Sequence, residues 1–297
     1  MLEFFSKIMN LRNDVLGING RNIELIYELN PRRNFPRVDD KLVTKELLAK
    51  IEAPTPATLA IFHGHADLEK LEDHVAGLHG FALKPAQGSG GRGIMIVKRD
   101  AQGKLIRPGE PGQPAVGMED LRNHIAEILS GVYSLEKPTD RAFIEELLEP
   151  EDMLGGVSIG GLPDIRIAVH NGRPIMAMTR IPTRQSRGRA NLHQGALGLG
   201  IDMETGQTTY AVLGNRNVTV HPDTNRPLST LQIPQWDTIL NISLQAAGCA
   251  GLGYVGVDIA VDKQRGPLVL ELNARPGLNI QLANRRGLRQ SLRDRET

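Results

Sequence analysis

The sequence has a single cysteine, Cys249, among its 297 residues. One cysteine excludes an intramolecular disulfide and every metal site that needs several thiolate ligands. Cys249 lies in an apolar stretch that predicts a helix, where cysteine ordinarily packs as a small buried residue. We therefore expect neither a disulfide framework nor a thiol nucleophile.

Long hydrophobic runs are missing as well. No apolar run approaches the roughly 20 residues that a helix needs to cross a bilayer. The start of the chain, Met1–Lys7, lacks the basic and apolar regions of a signal peptide. Hydrophobic residues make up 40% of the chain and charged residues 23%, which is ordinary for a globular protein. We expect a cytoplasmic protein without a membrane span.

Aromatic residues are scarce, at 4% of the chain, and the net charge is only +1. Proteins that bind single-stranded nucleic acid combine basic grooves with aromatic residues on which bases stack. No aromatic residues interleave with the arginine runs at 180–189 and 285–295. A net charge near zero also provides no global field that would select an acidic partner. The sequence therefore argues against nucleic-acid binding.

Glycine, in contrast, is concentrated between two short apolar runs in the first half of the chain. The first run predicts a strand that carries Lys84, and the second, Ile94–Val97, predicts the next strand. Between them, backbone amides of glycine can approach a phosphate closely, and Lys84 adds a positive charge to the same phosphate. The loop residues predicted to contact phosphate are Gly88, Ser89, Gly90, Gly91 and Gly93. The pattern indicates a nucleoside triphosphate.

Other glycine-rich motifs fit this segment poorly. A Walker loop has its lysine after the glycines and continues into a helix. A dinucleotide-binding fingerprint also requires a following helix, and no protein-kinase catalytic motif occurs downstream. A mobile glycine-rich surface hairpin is equally compatible with the segment taken alone.

Two predicted strands near the end of the chain carry oxygen ligands. In the second, Pro267–Asn273, strict alternation predicts that Val269, Glu271 and Asn273 share one face, opposite three leucines. Asp258, on the preceding strand, would complete the set. Such ligands suit magnesium, with manganese as an alternative. A solvated acidic edge is the other interpretation, and the apolar surroundings of Glu271 and Asn273 disfavour it.

These motifs, in this order, resemble the ATP-grasp superfamily, and within it the RimK-type α-L-glutamate ligases. The similarity extends from about Asp39 to about Ile280. It implies an α+β protein of ATP-grasp fold, with two α+β lobes and ATP in the crevice between them. The implied domains are a short N-terminal segment (1–36), an N-terminal lobe with the phosphate lid (37–148) and a C-terminal lobe with the metal and substrate site (149–297). The α/β domain that commonly precedes this fold would be reduced or absent.

The resemblance also implies which residues bind the nucleotide. Lys41 and Lys84 would contact phosphates, and Asp152 would bind the ribose hydroxyls. The strand and hinge that hold adenine, largely through main-chain groups, would be Glu145, Glu146, Leu147 and Leu148.

The active-site residues follow from the same resemblance. Asp164 and Arg166 match the Asp-x-Arg strand of the glutamate ligases, and Asn191 matches their active-site loop. Arg166 and Arg275 would stabilise an acyl phosphate and a tetrahedral intermediate, while Asn191 would orient the phosphate or the substrate carboxylate. The metal ligands would be Asp258, Glu271 and Asn273.

One departure from the related D-alanine ligases concerns the strand of Asp258. Those enzymes have an arginine two residues before the metal aspartate, where this chain has Gly256. In the glutamate-ligase pattern, Arg166 would take over its role toward the reacting phosphate.

A group of arginines precedes Asn191, namely Arg180, Arg184, Arg187 and Arg189. The arginine fork pairs well with carboxylates, so we interpret the group, together with Asp164 and His193, as a substrate-carboxylate site. A solvated loop is equally compatible. No general base is evident: His193 fits by its pKa range, but a solvent-facing structural histidine fits as well.

The function that these features predict is an ATP-dependent carboxylate–amine ligase that is ADP-forming. Its partners would be an amino acid such as glutamate and a small acidic or peptide substrate. Three alternatives remain open: a ligase for another carboxylate, a kinase-like use of the site, and a non-catalytic nucleotide-binding scaffold. The sequence leaves open whether identical chains form an oligomer.

Overall fold

The computed structural model describes residues 14–88, 90–108, 112, 114–134, 137–228 and 230–296. Within these residues the chain forms two compact units. The larger contains the chain up to Asp39, Val43–Thr55 and everything from Pro150 onward. The smaller contains Asp40–Leu42 and Pro56–Glu149.

The smaller unit is built on an antiparallel five-stranded sheet in the order β1-β5-β2-β3-β4. Its strands are Thr58–Phe62 (β1), Gly80–Pro85 (β2), Met95–Arg99 (β3), Leu105–Ile106 (β4) and Ala142–Glu146 (β5). The strands that we predicted on either side of the glycine-rich loop are β2 and β3, which pair directly.

One amphipathic helix, Met118–Leu129, covers this sheet. Leu121, Ile125 and Ile128 recur at helical spacing and are fully buried in the core of the smaller unit. The helix begins where the Asp120 carboxylate accepts a hydrogen bond from the Gly117 amide, at 2.7 Å. That bond satisfies an amide that the helix itself leaves without a partner. The shorter helices of this unit are His65–Lys70, a 3₁₀ helix, and Leu71–Val75.

The larger unit is built on an antiparallel seven-stranded sheet in the order β10-β9-β8-β7-β6-β11-β12. Its strands are Asp164–His170 (β6), Arg173–Ile181 (β7), Leu197–Ile201 (β8), Thr208–Leu213 (β9), Arg216–Val218 (β10), Tyr254–Asp262 (β11) and Gly266–Asn273 (β12). The helices of this unit are Ile18–Arg21, Asn22–Tyr27, Arg32–Asn34, Pro36–Asp39, Asp152–Gly155, Leu192–Gln194, Trp236–Ala250, Asn279–Asn284 and Leu288–Glu296, and helix Lys41–Ala49 begins in the smaller unit and ends in this one.

The two faces of this sheet differ in chemistry. On one face, Ile165 and Ile167 of β6 and Val257 of β11 pack under helix Trp236–Ala250 in the main core. On the other face, the alternation of β6 and β11 presents Arg166 and Asp258, which are direct partners in the register. The period of two along each strand therefore places Arg166 and Asp258 opposite the main core, on a face that also carries a second apolar cluster around Ala168 and Tyr254.

A β-bulge in β12 changes one predicted detail. Asp258 pairs with Glu271, but the next residue of β11, Ile259, pairs with Val269, so Leu270 is the extra residue. Val269 consequently packs into the main core, and the prediction that it shares a face with Glu271 was wrong. Glu271 and Asn273 keep their predicted side because they follow the bulge.

The N-terminal segment is built into the larger unit. The Asn30 side chain accepts a hydrogen bond from the Tyr254 amide (2.9 Å) and donates to the carbonyls of Tyr254 (2.7 Å) and Ala274 (2.9 Å). The Gly253 amide donates to the Leu29 carbonyl at 2.9 Å. These bonds attach the segment to β11 and to the turn that follows β12.

None of the helices within the described residues is both long and apolar enough to cross a bilayer.

Candidate nucleotide and metal sites

The smaller unit brings together the two lysines that we predicted to contact phosphate. Lys41 donates to the carbonyl of Gly88 at 2.6 Å, and its own amide donates to the carbonyl of Ala86 at 2.8 Å. Lys84 forms an ion pair with Glu145, whose side chain is only 3% exposed. Lys84 on β2 and Glu145 on β5 lie on adjoining strands, and the glycine-rich loop begins just after β2.

Glycine is favoured at different positions of the loop for different structural reasons. Gly90, Gly91 and Gly93 have φ angles of 64°, 75° and 75°, a region that favours glycine. A Cβ on Gly91 would meet nothing within 4 Å, whereas one on Gly93 would lie 2.5 Å from the Tyr133 ring. Gly91 therefore has open space around it, and Gly93 is required by packing. Ser89, which we also predicted to contact phosphate, lies outside the described residues.

The residues of the predicted adenine hinge differ in their contacts and burial. The Glu146 carboxylate accepts a hydrogen bond from the Ala57 amide at 2.7 Å, Leu147 packs against Gly80, and Leu148 is 8% exposed. Asp152, predicted to bind ribose, lies at the start of a short helix of the larger unit. It is exposed and forms an ion pair with Lys263 at 2.7 Å.

Four buried charges form a chain on the polar face of the larger sheet. Arg166 donates from Nε and Nη2 to the two oxygens of Asp258, at 2.7 and 2.5 Å. Arg180 donates to both oxygens of Asp164, at 2.5 and 2.6 Å, and from Nη2 to Asp258 at 2.7 Å. Charge-assisted forks of this kind are strong and directional. Each arginine therefore fixes the position of Asp258.

Burial and pairing shift the pKa values of this network in opposite directions. Burial raises the pKa of Asp164 to about 6, although Arg180 acts against the rise. Burial also opposes ionisation of Asp258, but Arg166 and Arg180 outweigh it and hold the pKa of that carboxyl well below its usual range. The two carboxylates more than offset the burial of Arg180 and raise its pKa. Asp258 and Arg180 are therefore charged at neutral pH.

The observed contacts of Arg180 and Asp164 are with other side chains of the protein. We predicted that both would contact the substrate, but the donors of Arg180 are taken up by two carboxylates of the protein, and both Asp164 oxygens accept from Arg180. Their geometry suits the positioning of Asp258.

The predicted metal ligands converge on one another. The Asn273 Nδ2 atom lies 3.3 Å from Asp258 Oδ2 and 3.2 Å from Glu271 Oε1. Rotation of the Asn273 amide by 180° would present its oxygen at the same place. Glu271 is one-third exposed, while Asp258 accepts hydrogen bonds from arginine on both oxygens. Glu271 therefore fits a magnesium ion as it stands, Asn273 fits once its amide is rotated, and Asp258 fits through the remaining capacity of Oδ1.

Within the described residues, no group of three or more His, Cys, Asp or Glu side chains has an arrangement suited to a metal ion. The proposed ligands are two carboxylates and an amide, so most ligands of an ion would come from water and from nucleotide phosphates.

The arginine-rich loop after β7 is anchored by its polar neighbours. Thr183 and Ser186 are buried and bond to each other, and Gly161 packs so closely that a Cβ would lie 1.8 Å from the carbonyl oxygen of Gly188. The side chains of Arg184 and Arg187 are exposed on this fixed loop. Their exposure is compatible with the predicted substrate site and with a solvated loop, so the substrate role stays a prediction.

The other predicted residues occupy distinct places. Asn191 begins the short helix Leu192–Gln194, and its side chain accepts a hydrogen bond from the amide of His193, which is exposed. Arg275 is paired with Asp39 at 2.9 and 3.0 Å and stacks on the Phe35 ring at 4.7 Å. Arg275 is therefore held at the N-terminal segment.

Two residues that our sequence reasoning missed are Asn30 and Arg21. Asn30 bridges the main chain of β11, and Arg21 donates to the carbonyls of Arg275 and Pro276. Nothing in the local sequence pattern distinguishes them from the polar residues around them. Their contacts depend on residues more than 200 positions away.

Solved structures with the same fold include D-cycloserine synthetase DcsG and biotin carboxylase from Campylobacter jejuni. The first is 14% identical with a TM-score of 0.50, over 90% of this chain and 73% of that one. The second is 14% identical with a TM-score of 0.53, over 88% of this chain and 46% of that one. The ATP-grasp ligase PsnB, complexed with a precursor peptide, is 16% identical with a TM-score of 0.44 over 85% of this chain. This chain spans about half the length of PsnB, covering 54% of it.

No curated protein matches the sequence. A family model does: the sugar-transfer associated ATP-grasp family matches residues 20–297. The two antiparallel sheets and their helices form an ATP-grasp α+β fold, which confirms the fold and the superfamily predicted from the sequence, while the resemblance to the glutamate ligases stays a prediction. Because the match spans nearly the whole chain, the protein belongs to the sugar-transfer associated ATP-grasp family.

Proposed function

We propose that the protein is an ATP-dependent carboxylate–amine ligase that forms an amide through an acyl phosphate. The observation that carries this proposal is the polar face of the larger sheet, where Arg166, Asp258, Glu271 and Asn273 converge within hydrogen-bonding distance. A positive side chain next to oxygen ligands for magnesium is what phosphoryl transfer from ATP requires. Membership of the ATP-grasp family supports the same chemistry.

The proposed reaction has two steps. A carboxylate oxygen attacks the γ-phosphorus of ATP, the bond to the β-phosphate oxygen breaks, and ADP leaves. The amine then attacks the carbonyl carbon of the acyl phosphate, phosphate leaves, and the amine loses a proton to solvent. Lys41, Lys84 and the loop amides neutralise phosphate charge, and Arg166 stabilises the charge that develops on the acyl phosphate. Bound magnesium, held by Glu271, Asn273 and Asp258, would supply further positive charge.

For the substrates of this reaction we propose classes of compound and not a single compound. An amino acid such as glutamate is one amine, in keeping with the glutamate-ligase resemblance. The family description associates these proteins with sugar transfer, so an amino sugar is a second amine to test. The exposed Arg184 and Arg187 favour an acidic co-substrate, which the loop would hold by a carboxylate distant from the reacting centre.

The test is ADP release from ATP and magnesium with a panel of amines and carboxylates. The panel contains L-glutamate and other amino acids, glucosamine, and small acidic peptides. ADP release that depends on both an amine and a carboxylate is the expected result. ATP binding without turnover for any pair would instead favour a non-catalytic nucleotide-binding scaffold, and phosphate transfer to a hydroxyl would favour a kinase.

Replacement of Lys84 by alanine is expected to weaken ATP binding by about 1.5–3 kcal/mol, the range for a hydrogen bond to a charged group. Adenosine binding should change little, because adenosine has no phosphates. Calorimetry with ATP and with adenosine measures both. Lys98→Ala, which removes an exposed lysine from the neighbouring strand β3, serves as the matched control.

The ion pair with Glu145 complicates the single variant, since Lys84→Ala leaves a buried carboxylate without its partner. The double variant Lys84→Ala/Glu145→Gln removes that problem and should show the same loss of ATP affinity. Unaltered ATP affinity in both folded variants would exclude Lys84 from the nucleotide site.

Replacement of Arg184 or Arg187 by methionine is expected to raise the KM for the acidic co-substrate and leave kcat nearly unchanged. Both side chains would bind the ground state and transition state equally, and loss of uniform binding acts on KM. Arg166→Met should lower kcat, because its partner charge develops during the reaction. Steady-state kinetics with the amine and carboxylate that support ADP release distinguishes the two patterns. Wild-type KM values in both Arg184→Met and Arg187→Met would contradict a substrate site and favour a solvated loop.

A further inference from the structure

Arg21 is an arginine that the proposed function does not use, and it lies beside the proposed metal face. Its Nη1 donates to the carbonyls of Pro276 at 3.0 Å and Arg275 at 3.5 Å, directly after the strand of Glu271 and Asn273. Its Nε and Nη2 contact the Asn22 side-chain oxygen at 3.2 and 2.8 Å. Within the part of the chain that the structure describes, Arg21 has no carboxylate partner.

An uncompensated, partly buried guanidinium is unusual. Burial lowers the pKa of Arg21, and the neighbouring positive charge of Arg275 adds to that effect. Charges that leave water are normally paired with an opposite charge. At least one Nη2 hydrogen remains for a ligand after the hydrogen bonds with Asn22 and the two carbonyls are formed. An anion next to Arg21 would therefore be stabilised.

Pro276, whose carbonyl accepts from Arg21, packs against Gly256, which lies two residues before Asp258 on the same face of β11. A Cβ on Gly256 would lie 2.8 Å from the Cβ of Pro276, so a larger side chain does not fit there without a shift. Because Arg21 is bonded to the carbonyl of Pro276, the N-terminal segment brings a guanidinium close to a position where β11 itself has no side chain.

Tyr254 adds a second polar group at this place. Its side chain is fully buried, and its hydroxyl has no hydrogen-bond partner among the described residues. Burial raises the pKa of the phenol, while the positive charges of Arg21 and Arg166 act against the rise. Buried polar atoms in native proteins nearly always have a partner, so a lone hydroxyl near two arginines points to a ligand or a water.

We propose that Arg21, with the hydroxyl of Tyr254 as a second donor, binds the carboxylate that the enzyme activates. The N-terminal segment would then form part of the substrate site. This inference rests on the ligase function proposed above and deepens it, since it names the group that holds the reacting carboxylate. Arg184 and Arg187 would hold a different, distant carboxylate of the acidic co-substrate.

The segment is fixed well enough for such a role. Asn30 and Leu29 bond to the main chain of β11 and its preceding turn. Before Arg21, the Leu16 amide donates to the Gln281 side chain at 2.8 Å, and the Gln281 amide donates back to the Leu16 carbonyl at 2.9 Å. Arg21 thus lies between two attachment points of the segment.

The experiment titrates acetate, succinate, glutarate and L-glutamate into the protein saturated with ADP and magnesium. Calorimetry gives the affinities, and the arginine Nε–Hε resonances in NMR spectra show which guanidinium is contacted. At least one carboxylate should shift the Arg21 resonance. Arg21→Met should weaken its binding at least 10-fold, and Arg21→Lys, which keeps the charge, should recover part of the loss.

One control and one further test variant accompany these variants. Arg33→Met removes an exposed arginine from the same segment and should bind the carboxylate as the wild type does. Tyr254→Phe should weaken carboxylate binding severalfold without lowering the unfolding temperature, because its hydroxyl has no protein partner to lose. ADP affinity should be the same in all four variants.

Three results would overturn the proposal. The first is that none of the four carboxylates binds to a protein that does bind ADP, and the second is that Arg21→Met retains wild-type carboxylate affinity. The third is that Arg21→Lys is as defective as Arg21→Met and both have lower unfolding temperatures, which would mean that Arg21 only braces the turn at Pro276. Failure of the wild type to bind ADP at all would contradict the ligase function itself and this inference with it.

Discussion

Replacement of Arg180 by methionine is expected to lower the free energy of unfolding of the larger unit by about 3–5 kcal/mol, the range for breaking a buried ion pair from one side. Arg180 is the partner of Asp164 and one of two partners of Asp258. In the Arg180→Met variant, Asp164 stays buried but loses the arginine that pairs with both of its oxygens. Asp258 keeps Arg166 as its single arginine partner. The side chains of Asp164 and Asp258 are 9% and 2% exposed, so water does not replace the lost arginine.

Fluorescence of the single tryptophan measures this effect. Trp236 is buried in a helix of the larger unit, so its emission during urea denaturation follows the unfolding of that unit. Arg184→Met, an exposed arginine four residues further on, is the matched control and should stay within about 0.5 kcal/mol of wild type, as surface substitutions do. The double variant Asp164→Asn/Arg180→Met removes the unpaired charge and should recover part of the loss. A denaturation midpoint of Arg180→Met equal to that of wild type would contradict this account of the network.

The sequence predicted the elements of the site better than their connections. The alternation of β6 correctly separated Ile165 and Ile167 from Arg166. The strand–loop–strand around the glycines was also predicted, because two apolar runs on either side of a glycine-rich segment have few other solutions. Patterns of period two are local, and they survive folding when the strand is regular.

The pairing of Arg180 with Asp164 could not be predicted in this way, because it depends on a β-bulge. The two-residue turn between β6 and β7 pairs His170 with Arg173 and Val169 with Pro174. Without a bulge, the same register would place Asp164 opposite Thr179. Ile175 is instead an extra residue, and Arg180 becomes the partner of Asp164. Pro174 has no amide hydrogen for the ladder, which is compatible with a bulge beside it.

The bulge at Leu270 has a similar consequence on the neighbouring strand. It lets Val269 and Leu272 both reach the main core while Glu271 and Asn273 point to the charged face. A sequence pattern gives no signal for an inserted residue, since a bulge is decided by packing on both faces of the sheet. Bulges are frequent next to functional sites because they redirect side chains in this way. Two of them shape this face.

Glu271→Gln and Asn273→Ala are each expected to lower ADP formation in the presence of magnesium by at least about 100-fold. Loss of a residue that only supports a metal ligand typically costs about 10–100-fold, and loss of a ligand itself should cost no less than the upper end of that range. Glu271→Gln removes the negative charge of one proposed ligand, and Asn273→Ala removes the amide oxygen of another. Asp258, the third proposed ligand, is already engaged by two arginines. The fold should persist, since both side chains are partly exposed and lie outside the core of the larger unit.

Binding and turnover should be measured separately for these variants. Calorimetric titration of magnesium into the ADP complex should show weaker binding in both, while ADP affinity without magnesium stays at the wild-type value. Glu204→Gln and Asn217→Ala, which change exposed residues on the same unit, should match wild type in both assays. Because Arg166, Arg180, Asp164, Asp258 and Glu271 sum to one negative charge, this face alone attracts a divalent ion only weakly, and the nucleotide must supply the rest. Wild-type magnesium affinity in the ADP complex of both variants would therefore exclude Glu271 and Asn273 as the ligands and place the ion on the phosphates alone.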